Sequence, residues 1–337
     1  MNRDRSIAAW LLACCALVVL MIVVGGVTRL THSGLSIVEW QPLLGAIPPL
    51  NEADWQALFG KYKLTPEFKR VNYDMTLEGF KSIFWWEYLH RLLGRGIGVV
   101  FLLPYLWFLA RRAISGALAW KLVGIFVLGG LQGAMGWYMV KSGLVDDPRV
   151  SHFRLTAHLA LAFVILGAML WVALDLLSPR PAAAPAALRG QRVLAWHVVA
   201  FVFLMVLTGG LVAGLRAGKA YNTFPLMNGY VVPPEILQID PWWQNFFWNV
   251  ATVQFDHRLF AWILAFTVPL LWWRCRGASG AARLATNVLL AMLALQLALG
   301  ITTLLLAVPV TLGVAHQGVA ALVFCAALWS VHALGRA

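Results

Sequence analysis

Apolar runs long enough to cross a bilayer recur along this chain, each broken by a short charged or Pro/Gly-rich stretch. A spanning helix needs about 20 apolar residues. With breaks read at charges and Pro/Gly clusters, the pattern predicts eight helices, over 7–29, 84–110, 119–140, 152–177, 193–215, 250–273, 283–307 and 309–333. The first is longer than a signal-peptide core and lacks a clear cleavage site, so it is counted as a helix. Only a kink around Pro309 separates the last two. Two longer segments, 30–83 and 216–249, interrupt the series.

Composition agrees with lipid as the solvent. Of 337 residues 61% are hydrophobic and 12% charged, whereas a soluble domain carries about 25% charged residues. The mean hydropathy is +0.76. Net charge is +12, but the basic residues are scattered through short loops and form no nucleic-acid footprint. The cysteines, Cys14, Cys15, Cys275 and Cys325, lie in or at the apolar runs, so no disulfide framework is implied. The absence of CxxC and CxxCH argues against zinc, thioredoxin chemistry and covalent haem attachment.

Eight spans put both termini on one side. The loops of that side carry Arg3, Arg5, Arg111, Arg112, Lys121, Arg180, Arg189, Arg192, Arg274, Arg276, Arg283 and Arg336, against Asp4 and Asp175. The other 14 basic residues face 12 acids. Basic loops stay in the cytoplasm, so both termini are expected there, with 30–83 and 216–249 outside. Trp40, Trp55, Trp85, Trp86, Trp242, Trp243 and Trp248 suit an interfacial layer on that outer face.

The chain repeats itself. Gly25, Gly26 and Gly34 match Gly209, Gly210 and Gly218 at one offset. Glu87-x-x-His90-Arg91-Leu92 matches Gln254-x-x-His257-Arg258-Leu259, and Leu131-Gln132-x-Ala134-x-Gly136 matches Leu295-Gln296-x-Ala298-x-Gly300. Ala157-His158 matches Ala315-His316. Each half has an even number of spans, so the halves share one orientation about an axis along the membrane normal. The expected fold is an all-α polytopic membrane protein: two tandem four-helix bundles, 1–180 and 181–337, related by pseudo-two-fold symmetry. Small residues in the matched blocks allow close helix approach in lipid.

Four of the eight histidines recur in the repeat, one on each even-numbered helix: His90, His158, His257 and His316. Each falls roughly six or seven residues into its span, about 10 Å below the outer end at a rise of 1.5 Å per residue. A polar side chain in lipid is costly and usually functional. Two imidazoles at equal depth on facing helices are what a six-coordinate haem iron requires. Copper or zinc would recruit Cys, Met or carboxylates beside histidine. Haem propionates need cations near the outer surface, and Arg29, Arg91, Arg216 and Arg258 are the candidates, with anchoring of helix ends as their competing role. His32, His152, His197 and His332 read as structural or interfacial.

The halves diverge at Glu87, one turn before His90, where the second half has Gln254. A carboxylate at the membrane edge could carry protons or stabilise positive charge beside a porphyrin. A structural ion pair with Arg91 or Arg29 is the competing reading. The asymmetry assigns chemistry to the first half and a fixed cofactor to the second. Asp256, an opposing asymmetry, is read as a partner of Arg258.

Several blocks together resemble the haem A synthase family. They are Gly25-Gly26-Val27-Thr28-Arg29-Leu30-Thr31 with Gly34-Leu35-Ser36, and Trp85-Trp86-Glu87-Tyr88-Leu89-His90-Arg91. In the second half they are Gly214-Leu215-Arg216-Ala217-Gly218, Tyr221-Asn222-Thr223-Phe224-Pro225-Leu226-Met227 and Phe255-Asp256-His257-Arg258. The resemblance spans nearly the whole chain. It implies oxidation of a methyl group of haem O to the formyl of haem A, through successive hydroxylations and loss of water. It implies that His257 and His316 ligate a resident haem b. His90, His158 and Glu87 then form the catalytic, substrate-binding site. Implied partners are the haem O substrate, a haem O synthase, cytochrome oxidase assembly factors and an electron donor of unknown identity, with self-association left open. Some bacterial members carry cysteine pairs in the outer loops and this chain has none there, so it resembles the type shared by alphaproteobacteria and mitochondria. Met1 to Arg5 leaves no room for a mitochondrial presequence, so a bacterial inner membrane is expected, with the haem sites near the periplasmic face. The competing functions are a di-haem b-type cytochrome, whose haems should lie near both faces, and a haem exporter or chaperone. An amphipathic outer stretch, Trp40 to Trp55, is expected to cover the substrate site.

Overall fold

The computed structural model describes residues 3–41, 44–145, 147–178, 188–278 and 280–336. The junction expected at 180/181, with Arg180, lies outside the described residues. Among the described residues eight long helices occur: α1 Arg3–Leu30, α2 Leu77–Ala110, α3 Gly116–Gly143, α4 His152–Leu177, α5 Arg189–Gly214, α6 Val250–Arg274, α7 Gly280–Leu305 and α8 Val310–Leu334. No strand occurs among the described residues.

Seven of these helices are long and apolar enough to cross a membrane by length and composition. The eighth expected span, α6, is 25 residues long but is not among the seven, so length and composition alone do not show it to cross. Gln254, Asp256, His257 and Arg258 crowd its first turns, and Trp262, Trp272 and Trp273 dilute the rest. Helix α2 begins seven residues earlier than the apolar run suggests. Thr76 caps it, its side chain accepting from Gly79 N–H. Phe80, Phe84 and Tyr88 then form a stripe one turn apart that buries against the short helix Glu52–Lys63. The last two helices are not one kinked rod. Ala307 and Val308 both take positive φ, 56° and 65°, and Val308 N–H closes the turn on Thr303 O at 2.8 Å. A β-branched residue in that region is unfavourable, and Pro309 opens α8 behind it.

Within each set of four the helices close a ring. Helices α1 to α4 each pack on the next, and α4 returns to α1; α5 to α8 do the same. The sets meet where α4 packs on α5 and on α8, and α1 on α8. Glycines set that approach. A Cβ on Gly26 would lie 3.3 Å from the Gln317 amide of α8, and one on Gly210 would lie 3.0 Å from Thr156 Cα of α4. Apolar matching adds no drive between helices in lipid, so such contacts hold the sets together by dispersion and backbone proximity. The repeat reaches the backbone: His32 and Arg216, at equivalent places after α1 and α5, both take φ near 55°, at 54° and 56°.

One end of the bundle carries the long connecting segments. Here Trp55, Phe59, Tyr62, Phe80, Phe84 and Tyr88 form a separate aromatic core. Trp55 therefore departs from the interfacial role expected of it: its ring sits 4.9 Å from Phe84 and is buried, whereas Trp40, Trp242, Trp243 and Trp248 are exposed. The opposite end gathers the chain termini. There Arg336 pairs with Asp175 at 2.5 Å, and Arg3 donates to the Ala113 carbonyl.

Candidate functional site

The four repeated histidines fall on α2, α4, α6 and α8, and each rests on a glycine of the preceding helix. A Cβ on Gly25 would lie 3.0 Å from His90 Cε1, and one on Gly136 3.1 Å from His158 Cε1. In the second set, Gly209 faces His257 at 3.3 Å and Gly300 faces His316 at 2.8 Å. The seats range from tight at Gly300, where an added Cβ forces the ring to move, to nearly ordinary contact at Gly209, and each imidazole lies against a neighbouring backbone. His90 and His158 stand on two helices of the first ring, and His257 and His316 on two helices of the second. The arrangement gives two pairs, one per helix ring.

Amides support one member of each pair. Gln132 Nε2 lies 3.4 Å from His158 Nε2 and donates to the His158 carbonyl at 3.0 Å; Gln296 Nε2 lies 3.4 Å from His316 Nε2. Their Oε1 atoms, and Nδ1 of His90, His158 and His316, are buried without a hydrogen-bond partner. Unsatisfied buried polar atoms are rare and mark places where a ligand completes the structure. Among the described residues no cluster of three or more His, Cys, Asp or Glu could hold a bare metal ion. A haem iron takes four ligands from its porphyrin and asks the protein for two, which is the donor set each pair offers.

Glu87 is buried, 3% exposed, and accepts four hydrogen bonds. Ser36 Oγ donates to Oε2 at 2.7 Å and Ile37 N–H at 2.8 Å; Arg91 Nε and Nη2 donate to Oε1 at 3.1 and 2.6 Å. The ion pair with Arg91 considered from the sequence is therefore formed, and the pair with Arg29 is not seen. Arg91 also reaches the carbonyls of Ile37 and Glu39 at 2.8 and 3.0 Å. The second set repeats this clamp position for position. Arg258 donates to the carbonyls of Tyr221 and Thr223 at 2.7 and 2.9 Å and to Gln254 Oε1 at 3.0 Å, while Gln254 Nε2 donates to Ala217 O at 2.7 Å. Arg91 and Arg258 follow their histidines in sequence, but consecutive helical residues point about 100° apart at 3.6 per turn. Their guanidiniums hold the loops down.

Arg29 and Arg216 differ. Neither guanidinium has an acceptor among the described residues. Arg216 lines a cavity of about 700 Å³ with Thr31, His32, Glu67, Arg70 and Arg149. His32, in the loop beyond α1, is held below its ordinary pKa by burial and by the charges of Arg216, Arg29 and Lys219. Arg70, Arg149 and Arg216 on the wall of the cavity face the acids Glu67 and Asp147, of which Asp147 pairs with Arg149 at 3.2 Å. Glu67 on the cavity wall is pushed up to about 7, first by burial; Glu87 adds to the rise, while the Tyr62 hydroxyl and Arg216 oppose it. Trp40 reaches over from its loop to stand 6.4 Å from Trp137 of α3, one residue after Gly136. Asp256 forms no ion pair with Arg258. The residues sequence reasoning left without a role are Gln132, Gln296 and Thr208. The two glutamines stood inside a matched block, which was the available signal.

The model of the cytochrome oxidase assembly protein family matches residues 8–328. Curated relatives extend over nearly the whole chain. A heme A synthase of Nitrosospira multiformis is 61% identical over 336 residues, covering 99% of this chain and 94% of the relative. One of Nitrosomonas eutropha is 56% identical, covering 97% and 93%. One of Paramagnetospirillum magneticum is 50% identical, covering 99% and 95%. With its paired histidines and its match from end to end, the chain belongs to the cytochrome oxidase assembly protein family.

Proposed function

We propose that this chain acts as a haem A synthase, oxidising a methyl group of haem O to a formyl group. The observation that carries the reading is the doubled histidine pair, each imidazole seated on a glycine of the neighbouring helix, in a chain whose relatives bear that name. The two helix rings are taken as halves related by a pseudo-two-fold axis along the membrane normal, with α6 as an eighth span. Sequestered in a ring, its polar first turns face helices instead of lipid, which is where ionisable residues in membranes sit.

In the second half, His257 and His316 would hold a resident haem b, which supplies a one-electron redox centre. In the first half, His90 and His158 would hold the haem O substrate by its iron and so fix which edge of the macrocycle meets the reactive space. Arg29 and Arg216, lacking other acceptors, would take propionates. Arg91 and Arg258 are read as loop clamps, since their guanidiniums are spent on loop carbonyls. Glu87 would stabilise positive charge next to the bound substrate. It would also hold the loop bearing Ser36 and Trp40 over the site, excluding water. Ser36 Oγ, 2.7 Å away, is the nearest group with which it could exchange a proton.

Both termini are placed in the cytoplasm and the loop-rich end in the periplasm of a bacterial inner membrane, following the basic residues of the opposite end. The implied partners are a haem O synthase, oxidase assembly factors and an electron donor. The reading is tested by the haem spectrum of the purified chain. Substitution of His257 or His316 by alanine should abolish a b-type signal that survives alanine at His90 or His158. A signal indifferent to all four would overturn the assignment.

A further inference from the structure

Three of the four imidazoles leave Nδ1 unpartnered. The fourth does not: Thr208 Oγ1 stands 2.9 Å from His257 Nδ1. The same hydroxyl is 3.2 Å from the Met205 carbonyl, to which it donates. A hydroxyl has one proton to give. With that proton on Met205 O, Oγ1 accepts from His257, so Nδ1 carries the ring proton and Nε2 keeps its lone pair. That is the tautomer an axial ligand needs. The offset matching Gly25 to Gly209 places Val24 where the second half has Thr208. Valine offers no acceptor, and Nδ1 of His90 is left bare.

We infer that Thr208 is a positioning residue that latches His257 as a strong, permanent iron ligand, and that Val24 leaves His90 unlatched so the first half can release what it binds. The inference rests on the assignment of a resident haem to His257 and His316 and of an exchanging haem to His90 and His158. A hydrogen bond accepted from the outer N–H of a ligating imidazole fixes the ring and raises its basicity; losing such a partner typically costs 10–100-fold in metal affinity. A more basic ligand favours ferric over ferrous iron and lowers the midpoint potential. A substrate haem has the opposite need, because its product must leave. One methyl-for-hydroxyl difference between the halves serves both.

The test uses the full chain purified with its haem. Thr208→Val should raise the midpoint of the resident haem, by about 59 mV if ferric affinity falls tenfold relative to ferrous. It should also speed haem transfer to an apo-globin acceptor about tenfold or more, within the range for lost outer partners. Thr208→Ser, which keeps the hydroxyl, should restore both. In the first half, Val24→Thr should slow release of added haem O. An unchanged midpoint and transfer rate in Thr208→Val would overturn the inference while leaving the haem assignment intact. If Thr208→Val retains no haem, the serine variant decides: a wild-type midpoint supports the latch and a displaced one refutes it. If alanine at His257 leaves the wild-type spectrum untouched, the haem assignment itself has failed, and the latch fails with it.

Discussion

If His257 and His316 hold a haem as proposed, replacing Gly300 by alanine should empty that site while leaving the bundle folded. The added Cβ would stand 2.8 Å from His316 Cε1, 3.4 Å from Nδ1 and 3.7 Å from Nε2. Ordinary contact begins near 3.4 Å, so the ring must retreat by about 0.6 Å, since the helix backbone carrying the Cβ cannot. Iron–ligand distances are held to within about 0.2 Å, so the shift exceeds the tolerance about threefold. The ring can swing away cheaply when it has no iron to serve, which separates loss of ligation from loss of fold. Gly209→Ala gives the internal scale: its Cβ would lie 3.3 Å from His257, a conflict of about 0.1 Å. We expect haem retention to fall about 10–100-fold in Gly300→Ala and only slightly in Gly209→Ala, measured as haem per protein in the purified chain. Gly214→Ala is the fold control. Its Cβ would strike His152 Cα at 2.7 Å across the α4–α5 contact and touches none of the four paired imidazoles, so it should lower thermal stability first. Full haem content with an unshifted spectrum in Gly300→Ala would refute the seat argument.

Two further outcomes follow from the loops. Glu87→Gln puts an amide donor against Ser36 and Ile37 N–H or against Arg91, losing charge-assisted bonds worth about 1.5–3 kcal/mol each. Haem A formation and hydrogen-exchange protection of residues 31–41 should fall together, and full activity would contradict the role given to Glu87. Glu67, held up to about 7 by burial, binds its proton more tightly folded than unfolded. The outer segment 52–72 should therefore be most stable below the carboxyl's ordinary range and weaken as pH rises towards about 7. Glu67→Gln should flatten that dependence. An equally steep loss of protection in the variant and the wild type would show that another group titrates.

The four histidines stand out in the sequence because lipid makes an isolated imidazole expensive and because they recur in the repeat. Their seats were not. Gly25, Gly136, Gly209 and Gly300 stood in the matched blocks, but only the pairing of α1 with α2, and of each later pair, shows that a glycine faces a ring. Arg91 and Arg258 were read by adjacency to histidine, where helical geometry turns them towards the loop carbonyls instead. Trp55 was placed at the interface because tryptophan favours both an interface and an aromatic core, and only Phe80 and Phe84 decide between them. Hydropathy falls along α6 because Gln254, Asp256, His257 and Arg258 crowd its first turns, among them the histidine that the repeat singles out.

The most direct measurement is chromatographic identification of the haems in cells that make this chain together with a source of haem O. The account expects haem A only when the chain is present under aerobic conditions, and none with His90→Ala or Glu87→Gln. Haem O left unconverted beside a chain loaded with haem b would contradict it, and would leave an electron-carrying cytochrome in its place.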